Sequence, residues 1–347
     1  MLNVKGLATG IGSLPYKEAN SALDLIFKCC PEIPFWPQLP KRDGREGMVA
    51  QFSEHLPCLE IKEGKIVFNP VNREKELEIF YERIISGDYD YFKISREFAS
   101  GLYGFCERLE ALEPQAFKKI QFIKCHVTGP FTFAGSINDE AGAPLLHDAI
   151  FMQAVLKAII MKALWQINLL KKFGKKIIIF FDEPYLGCFG SAYTPINKAD
   201  VVNGLSELTS SVKIGDVFTG VHCCGNTDWS IFTDVGTLDI INFDAFAFFD
   251  RLALYGEDLK SFFKRGGALC WGIVPTDESG VLLTKDVLLE KIKQSVNILV
   301  NKGLDKTSVT NNFLISPACG LGTLSAEKAE GIFKILSETA VLIKKSF

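Results

Sequence analysis

Seven short, mostly apolar runs punctuate this chain: VKGLATG (4–10), FIKCHV (122–127), KIIIFFD (176–182), DVFTGVH (216–222), LDIINFD (238–244), GALCWG (267–272) and NFLIS (312–316). Between them lie longer stretches, such as LLHDAIFMQAVLKAIIMKALWQINLLKKFG and SAEKAEGIFKILSETAVLIKK, in which apolar residues recur every three or four positions. Short runs that are apolar on both faces predict strands of a parallel sheet covered by helices, and the three-to-four spacing predicts those helices. The helix predicted near 150–173 closes on Lys171, Lys172 and Gly174, while the last opens on Ser325 with Glu327 and Lys328 behind it. This alternation predicts an α/β fold. With no Pro/Ser-rich linker, low-complexity tract or internal repeat, we expect one (β/α)8 TIM barrel over residues 1–347. An open doubly wound sheet is the alternative. Residues 31–115, with PEIPFWPQLPKRDG and NREKELEIFYERIISGDYDYF, are less regular and read as an insert of strand and loop followed by a helix.

Composition adds bounds rather than chemistry. The chain is 48% hydrophobic and 23% charged, enough apolar material for a large core and far from disordered compositions. A net charge of -3 with dispersed lysines gives no electrostatic reason to expect a nucleic-acid partner. The first residues, MLNVKGLATGIGSLP, hold too short an apolar stretch for a secretory leader, and no later segment is expected to reach the ~20 apolar residues that span a bilayer. The expectation is a cytoplasmic protein with no membrane partner. Ten cysteines (29, 30, 58, 106, 125, 188, 223, 224, 270 and 319) are scattered through the chain and read mainly as reduced, buried thiols. A functional sulfur therefore needs other groups beside it.

Several strand candidates end in such groups: Asp182 and Glu183, His222 and Cys224, Asp244, and Cys319 after NFLIS. In a barrel the carboxyl ends of all strands meet on one face, so these residues would converge. His222 and Cys224 stand two apart and point the same way from an extended segment, whereas Cys223 points elsewhere. One histidine, two thiolates and a carboxylate make a reasonable Zn²⁺ set. Spacing alone leaves other readings open: buried thiols around a hydrogen-bonded core histidine, Asp244 as a helix cap, GIGS as a turn and Asp182 as a cap.

The segments TGIGSLP, TGPFTF, FDEPYL, HCCG and SPACGLGT, taken together, resemble the catalytic half of cobalamin-independent methionine synthase, in order and approximate spacing, from residue 9 to about 325. The matching segments of that family read T-I-G-S-F-P, T-G-P-V-T, I-D-E-P-A-L, H-x-C and N-P-D-C-G-L. The resemblance implies a (β/α)8 barrel of the uroporphyrinogen decarboxylase/methionine synthase type. It further implies zinc held by His222, Cys224, Cys319 and, in place of a family Glu, Asp244. Homocysteine would meet Ile11, Gly12, Ser13 and Asp182, the last paired with its ammonium. No catalytic residue beyond the zinc site is implied.

The sequence also departs from that family. Where R-N-D-M-V-E-Y-F supplies a Glu for the amino acid, REGMVAQF has Ala50 beside Gln51, and Glu46 or Glu54 would have to substitute. The family's folate-side Trp falls near Ser136, and CWGIVPT (270–276) lacks the histidine used as proton donor. Methyltetrahydrofolate leaves only when its N5 is protonated, whereas a methylcorrinoid releases Co(I) without a proton. We therefore expect a methylcorrinoid, carried by a corrinoid protein, as methyl donor. PFWPQLPKRDGREGM is a candidate docking surface for that protein, or else a loop whose Phe35 and Trp36 fill the core. His126 is given no role. The alternatives are a methylcobamide:coenzyme M-type methyltransferase, which shares H-x-C-G, and a non-catalytic zinc- or corrinoid-binding barrel.

Overall fold

All seven apolar runs form strands, and those strands make one parallel sheet. The computed structural model describes residue 2 and residues 4–62, 65–191, 196–277 and 279–347. The first strand, β1, is Leu7–Ala8. An antiparallel hairpin follows, β2 (Leu59–Lys62) with β3 (Lys65–Phe68). The remaining strands are β4 (Phe122–Thr128), β5 (Lys176–Asp182), β6 (Val217–Cys223), β7 (Ile240–Phe243), β8 (Ala268–Val274) and β9 (Phe313–Pro317). The sheet runs in the order β1-β9-β8-β7-β6-β5-β4, and every neighbouring pair in it is parallel.

The sequence leads one to expect eight staves, and the sheet has seven strands. Between its two ends, β4 and β1, lies the stretch PEIPFWPQLP, which touches both through isolated parallel bridges, Phe35 to Lys124 and Gln38 to Ser13. Lys124 N–H donates to Pro34 O at 2.9 Å on one side; Gln38 N–H donates to Gly12 O at 3.1 Å on the other. Prolines at 31, 34, 37 and 40 explain why no ladder forms, since each lacks the N–H a ladder needs. The rest of 31–115 holds short 3-10 turns, the β2–β3 hairpin, and helices Arg73–Ile85, Ser100–Glu110 and Pro114–Lys119.

Alternation along the strands sorts the core into two layers. Ile178 and Phe180 of β5 join Leu7, Phe122, Ile240, Ala268 and Leu314 inside the curled sheet. Ile177, Ile179 and Phe181 face the other way, into the larger layer beneath the helices, with Cys223 and Trp271. Helix Ala149–Lys171 crosses that layer, capped by Asp148, whose carboxylate accepts from the backbone N–H of Ile150 and Phe151. By length and composition it is long enough to cross a bilayer, contrary to expectation, yet 72% of its most apolar window is buried in the protein. Its apolar residues are all-round because it is packed all round.

Candidate metal centre

Strand register sets the site. Asp182 on β5 lies opposite His222 on β6, and His222 lies opposite Asn242 on β7. All three share the inward parity of their strands. The chain then leaves β6 at Cys224, and a turn after β9 returns Cys319 to the same place. One ligand atom from each of His222, Cys224 and Cys319 lies within 4.8 Å of the others. Cys223, between two of these residues, is fully buried in the outer layer.

Hydrogen bonding decides which histidine nitrogen faces this cluster. Asn242 Nδ2 donates to Cys270 O at 2.8 Å and to Ser316 Oγ at 3.0 Å. Its Oδ1 is thereby left for His222 Nδ1, which must carry the proton. Nε2 then keeps its lone pair, the arrangement that a metal-binding imidazole requires. The protein groups also favour one thiolate. The thiol of Cys224, hydrogen-bonded to Cys319, draws the Cys319 thiol well below its ordinary range, with His222 assisting against burial. Cys224 is pushed up by the same bond. Burial works against a charged His222, but Cys319, Asp182 and Asn242 together raise the imidazole. Two half-buried sulfurs and one oriented, buried imidazole nitrogen suit a borderline-soft divalent ion such as Zn²⁺.

Asp244 stands apart from this group. It has inward parity, but it begins helix Ala245–Leu252 and its carboxylate caps it, accepting from Ala247 N–H at 2.9 Å. Burial raises its pKa against those backbone bonds, with Cys319 adding to the rise.

The cluster opens on a cavity of about 690 Å³ lined by Ile11, Ser13, Gln38, Lys41, Asp182, His222, Cys319 and others. Asp182 Oδ1 is buried without a partner among the described residues. Burial pushes Asp182 up to about 6, with His222 and Lys124 pulling it back. The GIGS loop forms one wall and is held from both sides. Below it, Lys124, fully buried against the ring of Phe180, donates to Ile11 O at 2.6 Å. Beside it, Ser13 O accepts from Leu321 N–H at 2.9 Å, and Ser13 Oγ accepts from Gly322 N–H at 3.3 Å. Two glycines permit this closeness: a Cβ on Gly12 would lie 2.9 Å from the His126 ring, and one on Gly320 would lie 2.2 Å from Ser13 Oγ.

Other sequence expectations come out differently. Glu46 and Glu54, the candidates to replace the carboxylate missing at Ala50, do not line the cavity. Glu46 is fully buried, accepting from Leu39 N–H, Ser100 N–H and Ser100 Oγ and pairing with Arg42. Glu54 accepts from Ser95 N–H. Phe35 and Trp36 are buried, so they fill the core and offer no docking surface; Trp36 stacks on His126 at 3.9 Å between centroids. Ser136 merely donates to Thr132 O at the end of helix Pro130–Gly135. Sequence reasoning passed over Asn242 and Lys124. Each is a polar residue in the middle of an apolar strand, a signal that could have found it.

Fold and site together define a parallel α/β protein with a His/Cys/Cys cluster where its strands end, above a small-molecule cavity. No protein-family model matches the chain. Over 269 residues it is 26% identical to methionine synthase from Methanocaldococcus jannaschii, covering 71% of this chain and 79% of that protein. The chain is methionine synthase-like. A solved B12-independent methionine synthase from Shewanella sp. W3-18-1, in complex with selenomethionine, aligns with a TM-score of 0.47 and 19% identity, covering 70% of this chain and 67% of that one. At that TM-score the likeness carries nothing further.

Proposed function

We propose that this protein is a zinc-dependent thiol methyltransferase that converts homocysteine to methionine. The observation that carries this reading is the gathering of His222, Cys224 and Cys319 within 4.8 Å, at the wall of a cavity that also holds Asp182 and the GIGS loop. Kinship with a methionine synthase supports it. In the same reading, residues 1–347 form one closed (β/α)8 catalytic unit with 32–38 as the eighth stave, working in the cytoplasm.

His222, Cys224 and Cys319 would hold the zinc, and Asp244 keeps its helix cap. Bound there, zinc would supply a Lewis acid that keeps a thiol sulfur deprotonated at neutral pH. The remaining work falls to the chain itself. Asn242 fixes the His222 tautomer. Lys124 fixes the Ile11 carbonyl, which turns the GIGS backbone toward the cavity. Asp182, with one carboxylate oxygen left without a partner among the described residues, receives the substrate ammonium in a charge-assisted hydrogen bond.

The methyl donor in this proposal is a methylcorrinoid on a partner protein. Co(I) leaves without a proton, and among the described residues lining the cavity the one histidine, His222, belongs to the metal set. Zinc analysis followed by zinc K-edge absorption, with and without homocysteine, tests the core of the proposal. A new zinc–sulfur contact is the expected result. Absence of zinc, or a site unchanged by the thiol, would sink it, and a change with coenzyme M alone would move the substrate to a sulfonate thiol. Methyl transfer from methyltetrahydrofolate in the absence of any corrinoid would overturn the choice of donor.

A further inference from the structure

Among the residues lining the cavity, Asp182 is the one carboxylate, and a substrate ammonium brings three N–H donors to it. A second acceptor is built into the cavity wall, and its orientation follows from a chain of hydrogen bonds. Phe98 O is a backbone carbonyl and can only accept, so the Gln51 atom 2.7 Å from it is the amide nitrogen. Gln51 Oε1 therefore faces Gln38, which must present its own nitrogen, at 2.7 Å. Gln38 Oε1 is what remains. It accepts no hydrogen bond from the described residues, is not sealed from solvent, and belongs to a residue that lines the cavity with Asp182. The relay is rigid: Gln51 is fully buried, and the Gln38 backbone is bonded both to Gly12 of the GIGS loop and to Leu14 just after it.

We infer that Gln38 is a specificity-determining residue that accepts a hydrogen bond from the substrate amino group, with Gln51 as the positioning residue that aims it. This rests on the thiol-binding reading given above and adds the residues that recognise the substrate's amino group beside Asp182. An amide oxygen discriminates by hydrogen bonding without adding charge, so the cavity holds an ammonium between one charged and one neutral acceptor. Lys41, on the same lining, is bonded to Leu324 O and supplies the opposite sign for a carboxylate. The ligand class that fits is an α-amino acid thiol.

The test is calorimetric titration of the zinc-loaded protein with homocysteine and with the same thiol acid lacking its amino group. Wild type should prefer homocysteine by well over tenfold, the joint effect of Asp182 and Gln38, since each hydrogen bond to a charged group is worth roughly tenfold or more. Gln38→Met should reduce that preference by roughly tenfold, leaving the share that belongs to Asp182, by weakening homocysteine and leaving the amino-free thiol unchanged, with zinc content intact. Gln51→Met should fall between, because it frees the amide of Gln38 to turn. Equal losses for both thiols would reduce Gln38 to a structural part and overturn the inference, as would no loss at all. The wild-type comparison stands even if a variant fails to fold: equal affinity for both thiols there overturns the inference while leaving thiol binding intact. Wild type binding neither thiol would instead defeat the thiol-binding reading itself.

Discussion

Asn242 would bind no metal, yet it decides which nitrogen of His222 can. Replacing it with Ala frees the imidazole to rotate and to change tautomer, and zinc affinity should fall roughly ten- to hundredfold. Competition against a chelator of known affinity measures this, and an unchanged affinity would remove Asn242 from the site. Asp244→Ala separates the two roles open to that residue: loss of the cap should lower stability by about 1 kcal/mol in urea while zinc stoichiometry stays the same. Loss of zinc would restore Asp244 as a ligand. Strand ends and parity made the convergence of His222, Cys224 and Cys319 readable in the sequence, and the resemblance to methionine synthase singled them out from the other polar residues there. The fate of Glu46 was not, since Ser100, which occupies its carboxylate, is far away along the chain.

Whole elements were more legible than the joins between them. Each of the seven strands lies at its apolar run because a run apolar on both faces has few other ways to be buried. PEIPFWPQLP was harder, because its prolines break the pattern that defines a strand while its backbone still touches two neighbours. Helix Ala149–Lys171 carries a different anomaly, Lys162, fully buried with no hydrogen-bond partner for its amine among the described residues. Burial lowers its pKa to about 8. The ordinary lysine value is about 10.4, so between those limits the unfolded chain holds a proton that the folded one has released, and stability rises with pH across that window. Lys162→Met should abolish the rise and stabilise the protein at pH 7 by on the order of 1–3 kcal/mol. Urea denaturation at pH 7 and near pH 10 checks both; a destabilised variant with the pH dependence retained would show the amine to be partnered.

At the scale of the whole molecule, metal and substrate should act in sequence. With zinc present, homocysteine at a hundredfold excess over its Kd should stabilise the fold by about 2.7 kcal/mol, and without zinc it should do far less. Thermal denaturation with and without a chelator distinguishes the cases, and equal shifts in both would separate the thiol from the metal. The proline-spaced stretch between β4 and β1 bears on the same coupling. A fold opens where it is least fastened, and this stretch has only scattered backbone bonds to the segments on either side of it. Amide hydrogens there, Phe35 and Gln38 among them, should exchange with deuterated solvent sooner than those inside β5 and β6. Gln38 sits on that stretch and also lines the cavity, so a ligand that grips it closes the clasp, and slowed exchange would spread from that one point into the sheet ends beside it.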